Sequence, residues 1–250
     1  MPGPLSVGKV VVGAFMVPWW NRRAFARALA VPLAILLTFS FIWYRVDEVL
    51  PEASKWLLWV LYLLYFALFT LFAVTTHRLV LLDAPVVAEK VAPSWSWRET
   101  RFFGFLVLTG AICMAVQYVI LFLVTTFIVN APGVGADLVS EWFSWMSALA
   151  KIPALYVFAR LALVFPATAV DRRPDLKWAW QSTRANGWRL VVVVAVLPYL
   201  ISWLIGLLYR SEPTMLETTL LATLAIAMFA IGISALSISY RELTRDEAPA

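Results

Sequence analysis

Five stretches of this chain run for about 20 residues or more with almost no charge, and this constrains its fold more than anything else in the sequence. A helix rises about 1.5 Å per residue, so such a run crosses a hydrocarbon core of about 30 Å. Residues 24–44 contain one charge, Arg27 near the start, and residues 56–76 contain none. The run 102–129 is uncharged and longer than a crossing needs, which predicts a tilted or projecting helix. Runs 190–209 and 214–240 complete the set, the last interrupted only by Glu217 near its beginning. In lipid, backbone N–H and C=O groups must pair within their own segment, so these runs are expected as helices and not as open strands.

A sixth span is harder to place. Residues 139–170 are apolar overall, but Lys151 and Arg160 divide them so that any crossing window contains one or the other. An internal similarity sets the register. Arg78-Leu79-Val80-Leu81 is followed by Trp95-Ser96-Trp97-Arg98-Glu99-Thr100-Arg101. Arg160-Leu161-Ala162-Leu163 is followed by Trp178-Ala179-Trp180-Gln181-Ser182-Thr183-Arg184. Both fit R-L-x-L and then W-x-W-x-x-T-R, each before a new span, as a parallel duplication of helix hairpins would produce. Alignment puts the fourth span at 140–159, with Arg160 at its boundary and Lys151 inside the membrane. The alternative is that Trp and Arg crowd every membrane boundary, and the chain has 13 Trp with which to do so.

The expected fold is therefore an all-α integral membrane bundle of six helices, one transmembrane domain over residues 1–250. Composition agrees: 62% hydrophobic and 14% charged residues, against about half and a quarter in a soluble domain. Disorder is excluded by the same balance. With six spans, all Lys and Arg fall on one side except Arg45, Lys55, Arg210 and Lys151. By the positive-inside rule the basic side is cytoplasmic and holds both termini. The net charge of +5 follows from this sorting, so no nucleic-acid partner is implied. Within the N-terminal segment 1–20, the apolar run 10–20 is too short to cross. It is expected at the interface, broken by Pro18, with Trp19 and Trp20 among the headgroups. Arg22, Arg23 and Arg27 after it argue against a cleaved signal. Ser96 and Glu99 form a capping-box pattern before the third span, and Asn186-Gly187 marks a turn before the fifth.

The segments His77-Arg78-Leu79-Val80-Leu81-Leu82, Phe165-Pro166-Ala167-Thr168-Ala169-Val170-Asp171 and Trp180-Gln181-Ser182-Thr183-Arg184-Ala185-Asn186-Gly187-Trp188-Arg189 resemble blocks of uncharacterised bacterial multi-pass membrane proteins. More distantly, the layout is similar to the membrane domain fused to some bacterial glycerophosphodiester phosphodiesterases. The resemblance covers about residues 75–197 and implies a bacterial cytoplasmic (inner) membrane location. It implies no activity and no functional residues, and the soluble catalytic domain of those phosphodiesterases is absent from these 250 residues.

Few residues offer chemistry. Lys151 stands first, because an ionisable group in the bilayer is a functional candidate; the alternative is that it snorkels outward toward Asp137 and Glu141. His77 with Arg78 can meet a headgroup phosphate at the inner end of the second span, or serve as a solvated anchor. Trp97 with Arg101, and Trp180 with Arg184, lie four residues apart on one helix face. Each pair can stack as cation on ring and meet anionic headgroups or a partner, as can Arg160 at the boundary. Asp83 and Asp171 do not occupy matching repeat positions, which weakens the case for a carboxylate pair. Gln117, Ser234, Ser237 and Ser239 suit contacts between helices. With one His and one Cys, Cys113, no metal spacing, catalytic centre or cofactor site is expected.

Three functional classes remain. The first is a non-enzymatic membrane component that binds anionic lipids, a protein partner or further copies of itself. The second is a small transporter with Lys151 near the midplane, and the third a lipid-modifying membrane enzyme.

Overall fold

The computed structural model describes residues 4–44, 55–89, 94–129, 136–208 and 214–245, and among them it is all helix and turn with no strand. Arg45, Lys90 and Arg210 lie outside these residues, as do the side chains of Lys55, Asp137 and Glu141.

Segments long and apolar enough to cross a membrane number five among the described residues: Trp56–Leu81, Trp97–Ile128, Trp145–Ala169, Gly187–Gly206 and Leu216–Leu243. That is the make-up of a multi-pass membrane protein. Residues 24–44 lie in α2 (Arg22–Tyr44), preceded by α1 (Val7–Trp20). The long helix α3 (Lys55–Leu81) leads to the short α4 (Ala84–Glu89) and then to α5 (Trp97–Val129). At 33 residues, α5 is about 50 Å long and overruns a hydrocarbon core, as its long apolar run predicts. After α6 (Ala136–Leu161), the chain makes a six-residue α7 (Val164–Ala169) and a seven-residue α8 (Leu176–Ser182).

The next span is not one regular helix. It comprises α9 (Gly187–Val191), a π-helical turn over Val192–Val196, and α10 (Leu197–Gly206). Pro198 explains the widening: it cannot donate to the Val194 carbonyl one turn back, and its ring crowds that carbonyl. The last helix, α11 (Met215–Leu243), begins with a complete capping box between Thr214 and Glu217.

Helices pair as neighbours α2 with α3 and α5 with α6, while α11 packs against α1, α2, α3 and α10. Most fully buried residues, among them Leu79, Ala159, Leu163, Val164, Ala179 and Leu190, gather at the end of the bundle that holds Arg78 and Arg160. The other flanks present Leu, Val, Phe and Trp outward, as helices in lipid do. Trp56 and Trp59 are exposed near the start of α3, and Arg78 lies 22 residues beyond Trp56. That is about 33 Å along the axis, close to the hydrocarbon thickness.

At the basic end, α1 departs from expectation. Pro18 sits inside the helix, which continues to Trp20 and ends at Asn21. The Asn21 amide and side-chain Nδ2 both donate to the Val17 carbonyl, at 3.1 and 3.0 Å. Val10 and Ala14 are buried, and Gly13 closes on α11: a Cβ there would meet Ile238 at 3.0 Å. Both ends of α1 lie at this end of the bundle. Leu5 N–H donates to Asn186 Oδ1 at 2.8 Å, and Asn21 leads into α2 beside α4. Trp19 and Trp20 are exposed, and Arg22 stacks 5.8 Å above Trp19.

Candidate functional site

The polar side chains of the basic end sort into two groups, those spent on holding the fold and those left available. Arg160 belongs to the first. It is buried, and all its hydrogen bonds run to the protein. Nε donates to Thr183 Oγ1 at 2.7 Å, Nη1 to Tyr156 OH at 3.0 Å, and Nη2 to the Trp180 carbonyl. Its guanidinium lies 4.1 Å from the Trp180 ring centroid. Gly187 makes room for it: a Cβ there would sit 2.9 Å from Arg160 Cδ and 3.0 Å from Tyr156 OH. No carboxylate approaches Arg160 among the described residues, so a buried cation is satisfied by neutral acceptors and a ring. The expected headgroup role of Arg160 is corrected by this burial, and the expected stack of Arg184 on Trp180 by Arg160 taking that ring. Arg184 itself is exposed.

His77 is also turned inward. Only 1% exposed, it sits 2.7 Å from Ser237 Oγ on α11 and packs against Phe102. Ser237 directs its proton to the Ile233 carbonyl at 2.9 Å, which leaves Oγ to accept from His77 Nδ1–H. His77 borders an apolar cavity of about 480 Å³ between α3, α5, α10 and α11, lined also by Phe102, Phe165, Pro198 and Phe229. Phe229 is half exposed, so the cavity opens sideways, toward lipid in a membrane. Lys151 lies elsewhere, exposed on α6, and lines neither this cavity nor the one described below.

Arg78 finds a partner that the sequence pattern does not suggest. Its Nη1 donates to Ala169 O at 3.1 Å and to Asp171 Oδ2 at 3.2 Å. Arg98 holds the same carboxylate at 3.1 Å and pairs with Glu99 at 2.9 Å. Asp171 takes φ 64°, the left-handed region usually left to Gly. It ends α7 as the C′ residue of a Schellman turn: Asp171 N–H donates to Thr168 O and Arg172 N–H to Ala167 O, both at 3.0 Å. Asp83 is exposed and makes no ion pair with Asp171's clamp. Ser96 caps α5 as expected, its N–H donating to Glu99 Oε2 at 2.8 Å and its Oγ accepting from Arg98 N–H at 3.3 Å.

What remains available lies on α5. Trp97 is exposed, and Arg101 borders a cleft of about 440 Å³ with Gly104, Phe105 and Leu108; Thr168, Arg173 and Pro174 form the facing wall. Arg101 Nε and Thr168 Oγ1 are both buried atoms with no hydrogen-bond partner, a costly arrangement in a dry site. No family model, curated protein or solved structure matches this chain. The cleft offers two guanidinium side chains and a hydroxyl above an apolar floor, and this donor set suits an anion. Among the described residues no group of three or more His, Cys, Asp or Glu side chains is placed to hold a metal ion.

Arg173 and Thr168 were not legible as site residues, since they lie about 70 residues from Arg101 and meet it only through the α5–α7 packing. One signal does exist. The motif that occurs twice extends three residues further than W-x-W-x-x-T-R, to Gly104 at its first occurrence and Gly187 at its second. Over Gly187 lie Arg160 and Tyr156, whereas a Cβ on Gly104 would meet nothing within 4 Å. The same gap is filled in one copy and open in the other.

Proposed function

We propose that this chain is a six-span, non-enzymatic component of the bacterial cytoplasmic membrane, both termini in the cytoplasm, whose basic and aromatic rim binds anionic lipid headgroups. The helical course of α2 supports the sixth span, and the crowding of Lys and Arg at the Arg78–Arg160 end supports the orientation. A parallel duplication is supported by element order: α3, α4 and α5 in one half, α6, α7, α8 and α9–α10 in the other, each with R-L-x-L closing its first long helix.

The observation that carries the lipid reading is the set of exposed tryptophans at that end. Trp19, Trp20, Trp95, Trp97 and Trp188 stand exposed beside Arg22, Arg173 and Arg184. Indole rings settle at headgroup depth, and each basic side chain near an anionic surface adds about 1 kcal/mol of attraction.

The test is lipid analysis of the protein taken from native membranes in polymer nanodiscs. Phosphatidylglycerol and cardiolipin are expected above their share of the bulk membrane, and less so in high salt. Lipid at bulk composition refutes the reading.

A further inference from the structure

We propose that the cleft between α5 and the α7–α8 connection is a specific site for one phospholipid, its phosphodiester held by Arg101, Thr168 and Arg173 and an acyl chain laid along α5. This deepens the rim reading above and rests on it. Trp97, Arg101, Gly104 and Leu108 follow one another at steps of four, three and four residues, with Phe105 beside Gly104, on a single face of one helix. Along that face the chemistry changes from indole to guanidinium to bare backbone to apolar side chain, the order in which a lipid passes from headgroup to tail.

The donors point to phosphate. Arg101 Nε and Thr168 Oγ1 are buried and unpartnered, and Thr168 is 0% exposed. Arg101 and Arg173 take part in no ion pair among the described residues, while Arg78 and Arg98 both clamp Asp171. A phosphodiester seated in the cleft brings acceptor oxygens to the wall that Arg101 and Thr168 share, where the protein itself supplies none to these two atoms. The floor points to a lipid in preference to free phosphate, because Gly104, Phe105 and Leu108 offer an inorganic ion nothing. The comparison with Gly187 points the same way: there the chain's own Arg160 and Tyr156 fill the gap, and here it stands open.

Native mass spectrometry of the purified full chain, titrated with phosphatidylglycerol and separately with inorganic phosphate, tests the site. Wild type is expected to hold one phosphatidylglycerol that millimolar inorganic phosphate does not displace. Arg101→Gln should weaken it about ten-fold or more, since a hydrogen bond to an ionic partner is lost. Thr168→Val gives up no internal hydrogen bond, so it keeps the fold and should weaken the lipid several-fold. Gly104→Leu places its Cβ where nothing lies within 4 Å, and its longer side chain should compete with the acyl chain. Lys177→Gln, a rim charge outside the cleft, should leave the single adduct in place.

Equal affinity in Arg101→Gln and Lys177→Gln overturns the site but leaves the rim reading standing. So does displacement by inorganic phosphate, or indifference to both Thr168→Val and Gly104→Leu. Failure of wild type to prefer phosphatidylglycerol over phosphatidylcholine overturns both readings.

Discussion

Thr183→Val removes one oxygen from the centre of the basic end and changes little else. The hydroxyl is 0% exposed and accepts from Arg160 Nε at 2.7 Å, while its own proton has the Ala179 carbonyl at 2.8 Å and the Arg160 carbonyl at 3.1 Å. Valine keeps the shape, so the loss falls on Arg160 Nε–H, stranded in a site where the residue is 5% exposed. An unsatisfied buried donor on a charged group costs about 2–3 kcal/mol. At about 2–4 °C per kcal/mol for a chain of this size, melting in detergent should fall by about 4–12 °C. A double-mutant cycle separates this from simple repacking. In an Arg160→Met background the hydroxyl has no cation to hold, and Thr183→Val should cost less than about 1 kcal/mol there. Thr100→Val, the same motif position in the first copy, removes two surface bonds, the acceptor for Trp95 Nε1 at 2.9 Å and the donor to the Ser96 carbonyl at 3.3 Å. It should change stability by no more than about 0.5 kcal/mol. A melting shift under about 2 °C for Thr183→Val, or an equal shift in both backgrounds, refutes the claim that the hydroxyl positions the guanidinium.

Gly187→Ala should destabilise by about 1–3 kcal/mol through displacement of Arg160 and Tyr156, seen in the same melting assay, whereas Gly104→Ala should be neutral or slightly stabilising. At Asp171 two effects oppose. Asp171→Gly relieves a left-handed backbone but frees Arg78 and Arg98, and because the carboxylate is 57% exposed each ion pair is weak, so stability should stay within about 1 kcal/mol of wild type. Asp171→Ala loses the pairs and keeps the strain, so it should melt lowest of the three. Ser237→Ala leaves His77 Nδ1–H facing apolar neighbours and should cost about 1–2 kcal/mol, with no change in lipid retention if His77 only ties α3 to α11.

The helical elements were legible because a bilayer imposes a length that can be counted in residues. Residues 56–76 and 102–129 announce α3 and α5 through nothing but apolar run length, and Thr214 with Glu217 marks the start of α11. The π-helical turn at Val192–Val196 was not legible. It depends on how the Val194 carbonyl escapes Pro198 while neighbours remain packed, and the run of valines there reads equally well as regular helix. His77 and Arg160 were legible as polar groups at a boundary but not as buried ones. Burial depends on Ser237, 160 residues away, and on the turn at Asn186 that brings Gly187 beneath Arg160.

The two copies of W-x-W-x-x-T-R show why local pattern reaches this limit. Read along the chain, Thr100-Arg101 and Thr183-Arg184 are equivalent, and both precede a Gly by three residues. In the second copy the motif ends a separate helix, α8, and the chain turns at Asn186. The motif therefore folds back on α6, and Arg160 and Tyr156 drop onto Gly187. In the first copy the motif opens α5 directly, with no turn between Arg101 and Gly104, so α5 carries its open face on without a break. The wall opposite is then supplied by α7 of the other half, through Thr168 and Arg173. If the copies arose by duplication, one has closed its gap with its own cation and the other has kept a gap lined with unsatisfied donors. Closing the first gap by Gly104→Leu should therefore cost lipid and not stability, whereas opening the second by Arg160→Met should cost stability and not lipid. Opposite results in that pair would mean that the two gaps are packing accidents of a common helix motif.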